Sequence, residues 1–245
     1  MNKKLSNFYD QYHQKNNRFH RQIRANNFTY WYILKTLRQP LLTGWSEMNV
    51  LDVGCGVGTL ALYLSQFVHS VTGIDVSPRA LKLATEAKQA LGVKNVSFLQ
   101  KELQRFAKPF QLVLCTEVIE HIADDKAFAK LLATNTTAGG WLLLSTPNRD
   151  NWLTRLGYYK NFDKEVGHLR RYNPAEISQL LEQAGFAVKK IVLAEGPLRS
   201  LLFTSKLGIL IRLIKGPLIP LFHWLDDIVG RLFGCSDIII LAQKK

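Results

Sequence analysis

The sequence is short of several things, and each shortage excludes something. Its 245 residues hold three cysteines, Cys55, Cys115 and Cys235, scattered through apolar runs. An odd and dispersed set of thiols excludes a disulfide framework and suits a reducing compartment. No uncharged, continuously apolar run reaches 18 residues, so no membrane-spanning helix is predicted. The first twenty residues, MNKKLSNFYDQYHQKNNRFH, lack the apolar centre of a secretory signal. The expectation is a cytoplasmic protein, with peripheral contact at the inner face of the membrane left open.

Acidic residues are also scarce: 19 Asp and Glu stand against 32 Lys and Arg, a formal net charge of +13. The excess belongs to the two ends. Residues 1–38 carry eight basic side chains against one acid, and residues 197–245 carry seven against three. The centre is close to neutral. Polyanions, membrane surfaces and phosphorylated substrates are candidate partners on this ground, and plain solubility is the ordinary alternative.

What is present is an alternation of strand and helix signals. NVLDV, SVTGID, NVSFL, FQLVLCTEV, GGWLLLSTP, FAVKKIVL and SDIIILAQ read as seven strands. Helices are predicted after GVGT with Leu60, Leu64 and Phe67 on one face, and from Pro78 with Ser77 as cap and Gly92 as stop. Two more cover DKAFAKLLATNTT and the stretch from Pro174, the latter with Asn173 as cap, Glu176 three residues on and Gly185 as stop. A further helix, aromatic and basic, is predicted from Arg18 to Leu37. The pattern predicts an α/β fold with a doubly wound, mostly parallel, seven-stranded sheet of the Rossmann-like kind. Residues 1–45 would form an N-terminal helical cap, and 46–194 with 236–245 the core. Residues 195–235 would be an amphipathic helical insertion between the last two strands.

The first strand runs into Asp52-Val53-Gly54-Cys55-Gly56-Val57-Gly58. A dinucleotide fingerprint needs G-x-G-x-x-G, and a phosphate loop needs G-K-[ST]; neither is present. Glycines let a ligand approach bare backbone, and the helix N-terminus behind them offers unpaired N–H groups. Asp52, just before the first glycine, disfavours a pyrophosphate and suits a cationic amine. Asp75 ends the second strand, where a carboxylate can accept bonds from two ribose hydroxyls. A ribose, a positive amine and no phosphate describe S-adenosylmethionine better than NAD. A turn that only packs helix on strand is the structural alternative.

With these residues in view, the chain resembles the class I S-adenosylmethionine-dependent methyltransferases, in particular the small-molecule branch of ubiquinone-biosynthesis O-methyltransferases. The motifs that carry the likeness are LDVGCGVG, GIDVSPRAL, CTEVIEHIAD, GGWLLLSTPNR and GHLRRYNPAEISQLLEQAGF. The resemblance implies that Asp52, Gly54, Cys55, Gly56 and Gly58 hold the methionine end of the cofactor. It implies that Asp75 binds the ribose and Val76 packs on adenine. Such enzymes usually carry an Asp at the adenine edge; here Glu102 stands in that region, and the Leu103 backbone N–H is a second candidate. The backbone of Cys115 and Thr116 would lie beside the methionine moiety.

Glu117, Glu120 and His121 fall at i, i+3 and i+4, on one face if the turn is helical. Two carboxylates and an imidazole suit a hard divalent cation such as Mg²⁺, and the resemblance supports that reading. The alternative has His121 bracing the loop and Glu117 near the sulfonium. His168 is the candidate base, with Glu117 as the second catalytic candidate. Arg170 and Arg171 are candidate clamps for an acidic acceptor, and Tyr158 and Tyr159 candidate walls of its pocket. Each has a structural alternative: a loop anchor for His168, a helix-fixing ion pair for Arg171, a plain seal for the tyrosines.

The segment before the last strand threads Arg199, Lys206, Arg212 and Lys215 through Leu, Ile and Phe. It could lie on a membrane, cover an apolar acceptor, pack on the N-terminal helix, or form a homodimer. The expected function is methyl transfer to an oxygen of a small or lipid-linked acceptor. An RNA-directed methyltransferase is the first rival, weakened because the turn after the fourth strand reads CTEV rather than a base-methylating N/D-P-P-Y. Nucleic acid is therefore not an expected partner. The second rival is a non-catalytic partner subunit built on the same fold.

Overall fold

The computed structural model describes residues 7–11, 23, 28–38, 44–204 and 219–245. Phe19, most of the stretch 12–27, and the insertion residues Lys206, Arg212 and Lys215 lie outside the described residues.

Seven strands form one sheet: β1 (Asn49–Val53), β2 (Ser70–Asp75), β3 (Val96–Gln100), β4 (Phe110–Thr116), β5 (Thr136–Pro147), β6 (Phe186–Ala194) and β7 (Asp237–Lys244). Their order is β3-β2-β1-β4-β5-β7-β6. β7 is antiparallel to both neighbours; the other pairings are parallel. The strand order reverses between β1 and β4, which places a ligand crevice outside the carboxyl ends of those strands. Because β7 runs backwards, its first residue, Asp237, lies at that same edge, opposite Pro147 and Ala194.

The helices are α1 (Phe28–Leu37), α2 (Thr59–Leu64), α3 (Pro78–Ala90), α4 (Asp125–Asn135), α5 (Trp152–Arg155), α6 (Lys160–Val166), α7 (Pro174–Gln183), α8 (Pro197–Thr204) and α9 (Ile219–Phe233). The two-residue period of the strands sorts the core into two layers. Leu51, Val113, Leu142, Leu144, Ile238 and Ile240 face α4 and α7; Val50, Leu112, Leu114, Leu143, Ile239 and Leu241 face α1 and α2. Tyr32, Ile33 and Leu37 of α1 are buried in that second layer, so this helix does more than cap the fold. Each such aliphatic side chain is worth about 1.5–3 kcal/mol of apolar burial.

Two cap expectations hold in detail. Ser77 Oγ accepts the Ala80 N–H, and Asn173 with Glu176 closes a complete capping box at α7. Phe67 departs from expectation. α2 ends at Leu64, so Phe67 falls past the helix, is 45% exposed, and packs on Trp45 and Tyr63 instead of the core. Short α5 and α6 were not legible, because four and seven residues are too few to show a helical period.

Among the described residues, the insertion packs on the N-terminal helix. The His223 ring of α9 stacks on Trp31 of α1, and Tyr32 Oη donates to Asp227. Asp226 accepts the N–H groups of Gly196 and Arg199 and so ties α9 to the start of α8. Arg199, expected among the surface cations of this segment, is buried and ion-paired with Glu195 at 2.8 Å. No helix is long and apolar enough to cross a membrane among the described residues.

Candidate functional site

The glycine turn sits at the end of β1. Gly54 and Cys55 both donate to the Ile74 carbonyl, and Gly58 donates to Cys55. Gly58 has φ +74°, and a Cβ there would lie 2.6 Å from the Phe98 ring, so only glycine fits. A side chain at Gly54 would collide with Val118 of the turn after β4, so the two strand ends pack against each other without space between. Asp75 closes the turn: its carboxylate accepts the Gly56 and Ser77 N–H groups, each at 2.8 Å.

Asp52 is buried behind the turn, and desolvation, reinforced by Asp75, pushes its pKa up to about 7. A carboxylate held back from ionisation in this way favours a cation arriving beside it. Val76 is half-buried and follows Asp75 directly; Glu102 is exposed and Leu103 is partly buried in the loop after β3. Cys115 is fully buried and its thiol is pushed well up by desolvation, so it is packing and not a nucleophile. Cys55 is likewise buried beside Gly73. Across the top of this edge run helical residues 7–11. Asp10 accepts from Ser77 Oγ at 2.5 Å and from the Arg79 N–H, while Tyr9 stands edge-on to the His121 ring.

The turn after β4 does not form the expected helical face. Only Ile119–His121 make a 3₁₀ turn, and Glu117 sits before it with φ +54°, rare for a residue with a side chain. Glu117 Oε1 is bonded by Ser145 Oγ at 2.6 Å. Its side chain is exposed, and desolvation with the neighbouring Glu120 pushes its pKa up to about 8. Glu120 is fully buried, accepts from Thr146 Oγ1 through Oε2, and is pushed up in pKa by burial.

The grouping of Glu117, Glu120 and His121 as metal ligands is therefore corrected. The side chains that converge are Glu120, His121 and His168, with ligand atoms within 4.8 Å of one another. The one-face reading required a helical turn, whereas the backbone turns differently, and His168 arrives from a segment 47 positions from His121. His168 is a loop anchor in one respect: its Nδ1 lies 2.9 Å from Asp163.

Arg170 is corrected as an acceptor clamp. It pairs with Asp125 at 2.6 Å and donates to the Ala123 carbonyl, lining a hollow of about 440 Å³ that shares no residue with the glycine turn. Arg171 grips Asp163 with two hydrogen bonds and lies over the Tyr159 ring at 4.4 Å. Tyr159 is buried, whereas Tyr158 is 40% exposed and touches it edge-on. Of the four acceptor-side candidates, Arg171 and Tyr159 lie together.

Sequence reasoning missed the partners these residues meet: Ser145, Thr146, Asp163, Glu195 and Asp237. Glu195 directly follows β6 with φ +62°, and Asp237 starts β7. Asp237 is pushed well up in pKa by burial and by Glu195 and Glu117, with Arg199 and Arg171 offsetting. Glu195 and Asp237, with Arg171 and Arg199, are thus electrostatic neighbours of one another, and Glu195 and Arg171 of Glu117 as well. Only the antiparallel return of β7 puts Asp237 there, and no local signal marks it.

Comparison with known proteins identifies a family. Residues 20–191 match the protein family described as "Methyltransferase domain". A ubiquinone biosynthesis O-methyltransferase of Paracidovorax citrulli is 32% identical over 122 residues, covering 45% of this chain and 51% of that protein. The protein of the same name from Rickettsia prowazekii is 28% identical over 186 residues, covering 72% of this chain and 73% of its own. The chain spans about half the length of the first such relatives it matches. In fold it is similar to magnesium protoporphyrin IX methyltransferase from Synechocystis PCC 6803, solved with SAH bound. The TM-score is 0.66 at 18% identity, covering 98% of each chain.

Proposed function

The chain belongs to the class I S-adenosylmethionine-dependent methyltransferases, and on that premise we propose that it methylates an oxygen of a small or lipid-linked acceptor. The observation that carries the reading is the row of carboxylates at three adjacent strand ends: Asp75 on β2, Asp52 on β1 and Glu117 just past β4. No phosphate-binding lysine accompanies them in the turn. Such a row suits a ligand that is cationic and bears a ribose.

When bound, S-adenosylmethionine supplies a methyl group on a sulfonium. Asp75 would hold the ribose hydroxyls, the Gly54–Gly58 backbone and Asp52 the amino-acid end, and Val76 and the Glu102–Leu103 loop the adenine. The Cys115–Thr116 backbone would flank the methionine chain. Positioning in a site shut off from water provides most of the acceleration for an in-line displacement. Glu117 would take the acceptor's proton. Ser145 engages Oε1, which orients the carboxylate and leaves Oε2 for that bond. The base role expected of His168 passes to Glu117, because His168 Nδ1 is held by Asp163 and Nε2 is directed toward Glu120. Mg²⁺ is given no part in this step. The all-oxygen set it prefers is not assembled, since Glu117 turns to Ser145 and two imidazoles stand with Glu120.

The acceptor would lie against the cluster of Arg171, Tyr159, Glu195, Arg199 and Asp237. A lipid-linked acceptor draws support from α9. Leu221, Trp224, Leu225, Ile228 and Leu232 form one exposed apolar stripe at helical spacing, opposite the His223 and Asp226 face packed on the protein. Peripheral membrane contact or a homodimer would use that stripe.

The test is incubation of the purified chain with methyl-labelled cofactor and cell extract, followed by solvent partition. Label in the lipid or small-molecule oxygen pool supports the reading. Label in RNA overturns it in favour of a nucleic-acid substrate. Cofactor binding without transfer in any fraction overturns it in favour of a partner subunit.

A further inference from the structure

The family match begins at residue 20, yet a stretch that precedes it lies against the site. Residues 7–11 are helical, with Phe8, Tyr9 and Asp10 half-buried between exposed Asn7 and Gln11. Asp10 reaches the β2 side of the crevice. Its Oδ1 accepts from Ser77 Oγ at 2.5 Å and from the Arg79 N–H at 3.1 Å, at the start of α3. Tyr9 and Phe8 reach the β4 side. The Tyr9 ring stands edge-on to His121 with centroids 5.5 Å apart, and a Cβ on Gly167 would lie 3.0 Å from the Phe8 ring. Sheet order sets β1 between β2 and β4, so three consecutive residues span the end of β1 and the glycine turn it carries.

Each attachment suits what it meets. The first turn of α3 presents N–H groups without helical partners and the positive end of the helix dipole, and Asp10 brings a carboxylate to both. The bonds it accepts there are charge-assisted. Ser77 is fully buried. Its hydroxyl accepts the Ala80 N–H and gives its one proton to Asp10, while its own N–H goes to Asp75 Oδ1. Asp10 thus acts through Ser77 on the carboxylate assigned to the ribose. At the other end, Gly167 has no side chain to hold Phe8 away, and its carbonyl lies 3.0 Å from His121 Nδ1.

We propose that Phe8, Tyr9 and Asp10 form a strap over the cofactor site. Asp10 latches it to α3, and the two rings seat it on the wall made by His121 and Gly167. A nucleoside lying over the glycine turn is then covered from above and shut off from water, the condition that favours displacement at a sulfonium. The strap must lift for S-adenosylhomocysteine to leave, so product release is gated by bonds made outside the matched family region. Asp10 is a positioning residue, since it acts through Ser77 and the strap. The inference rests on the cofactor reading of the glycine turn and is independent of the acceptor.

Stopped-flow displacement of S-adenosylhomocysteine from the full chain tests the strap. Asp10→Ala should speed dissociation roughly 10–100-fold, the worth of a hydrogen bond to a charged group. Asp10→Asn keeps an acceptor oxygen and should recover part of that loss. Tyr9→Ala, at the opposite end, should also speed dissociation. The double variant should be little faster than the faster single one, because a strap freed at one end has already lifted. If Asp10→Ala does not fold, Tyr9→Ala carries the test, since its contact lies away from α3. Unchanged dissociation with a lowered melting temperature would make Asp10 a plain helix cap and overturn the proposal. Single effects that multiply in the double variant overturn it too. A parent that takes up no S-adenosylhomocysteine overturns the cofactor reading and the strap together, whereas uptake with unchanged dissociation in every variant overturns the strap alone.

Discussion

Tyr32 and Asp227 are 195 positions apart in sequence, yet the Tyr32 hydroxyl donates to the Asp227 carboxylate at 2.5 Å. The bond joins α1, near one end of the chain, to α9 in the insertion before the last strand. Beside it, Trp31 stacks on His223. Among the described residues α1 and α9 are thus joined, and α1 packs against β6 and β7. Tyr32→Phe leaves Asp227 without this donor and should cost about 1–3 kcal/mol, read as a fall in the urea midpoint at unchanged slope. An unchanged midpoint would mean that the ends are joined by apolar contact alone.

Cofactor affinity should rise with pH through the neutral range. Asp52 is buried, and its folded-state pKa, raised to about 7, exceeds the unfolded value. A bound ammonium favours the ionised form, so binding releases a proton below that pKa and tightens as pH climbs toward 8. Calorimetry in two buffers of different ionisation enthalpy measures the released proton. Asp52→Asn should flatten the pH profile, and Asp75→Ala should remove most of the affinity at every pH.

The same raised pKa has a stability consequence of known sign. Between the unfolded pKa near 4 and the folded value near 7 the native state holds the extra proton, so the Asp52 contribution weakens stability as pH rises. Relative to the parent, ligand-free Asp52→Asn should gain up to about 4 kcal/mol between pH 4 and pH 8. Melting temperatures of both proteins across that range check it. A constant difference would place Asp52 in contact with water.

Gly58→Ala should lose both cofactor binding and stability. The new methyl group would meet the Phe98 ring, and the backbone at φ +74° disfavours a side chain. A cost of about 1–3 kcal/mol follows from the strained backbone. Binding that survives intact would show that the turn reshapes freely.

Glu117→Gln should lower kcat by about 10²–10⁴-fold, the usual worth of a positioned base, with little change in affinity for S-adenosylhomocysteine, which lacks the sulfonium. Ser145→Ala, which frees Oε1, should give a smaller loss. Equal losses in the two variants would assign the effect to the hydrogen bond and not to the carboxylate.

Leu221→Glu with Leu225→Glu places two charges on the exposed stripe of α9. Recovery with anionic liposomes in co-sedimentation should fall while the melting temperature holds, because neither side chain belongs to the packed face. If both proteins stay in the supernatant, the stripe does not meet a membrane.

Helix starts were legible because capping is local chemistry. Ser77 before Pro78, and Asn173 with Glu176, satisfy backbone donors within four residues of themselves. The glycine turn was legible for the same reason, since left-handed backbone and close packing demand Gly58 whatever the rest does. The cluster on Glu120 was not. Reading Glu117, Glu120 and His121 as one face assumed a helix, but the chain leaves β4 through a left-handed residue. Arg170 and Arg171 are adjacent in sequence with indistinguishable chemistry; Asp125 captures one and Asp163 the other.

By itself the sequence determined the strand and helix alternation, the turn at Gly54–Gly58, and the acids Asp52 and Asp75 beside it. Periodicity, capping and turn geometry act over a few residues, and such short-range physics can be read along a line. The tertiary structure alone decided that β7 runs backwards between β5 and β6 and brings Asp237 to the same sheet edge as the glycine turn. It alone decided that His168 meets Glu120. Those outcomes depend on which buried surfaces pair across the sheet, and packing in three dimensions has no counterpart in the local order of residues.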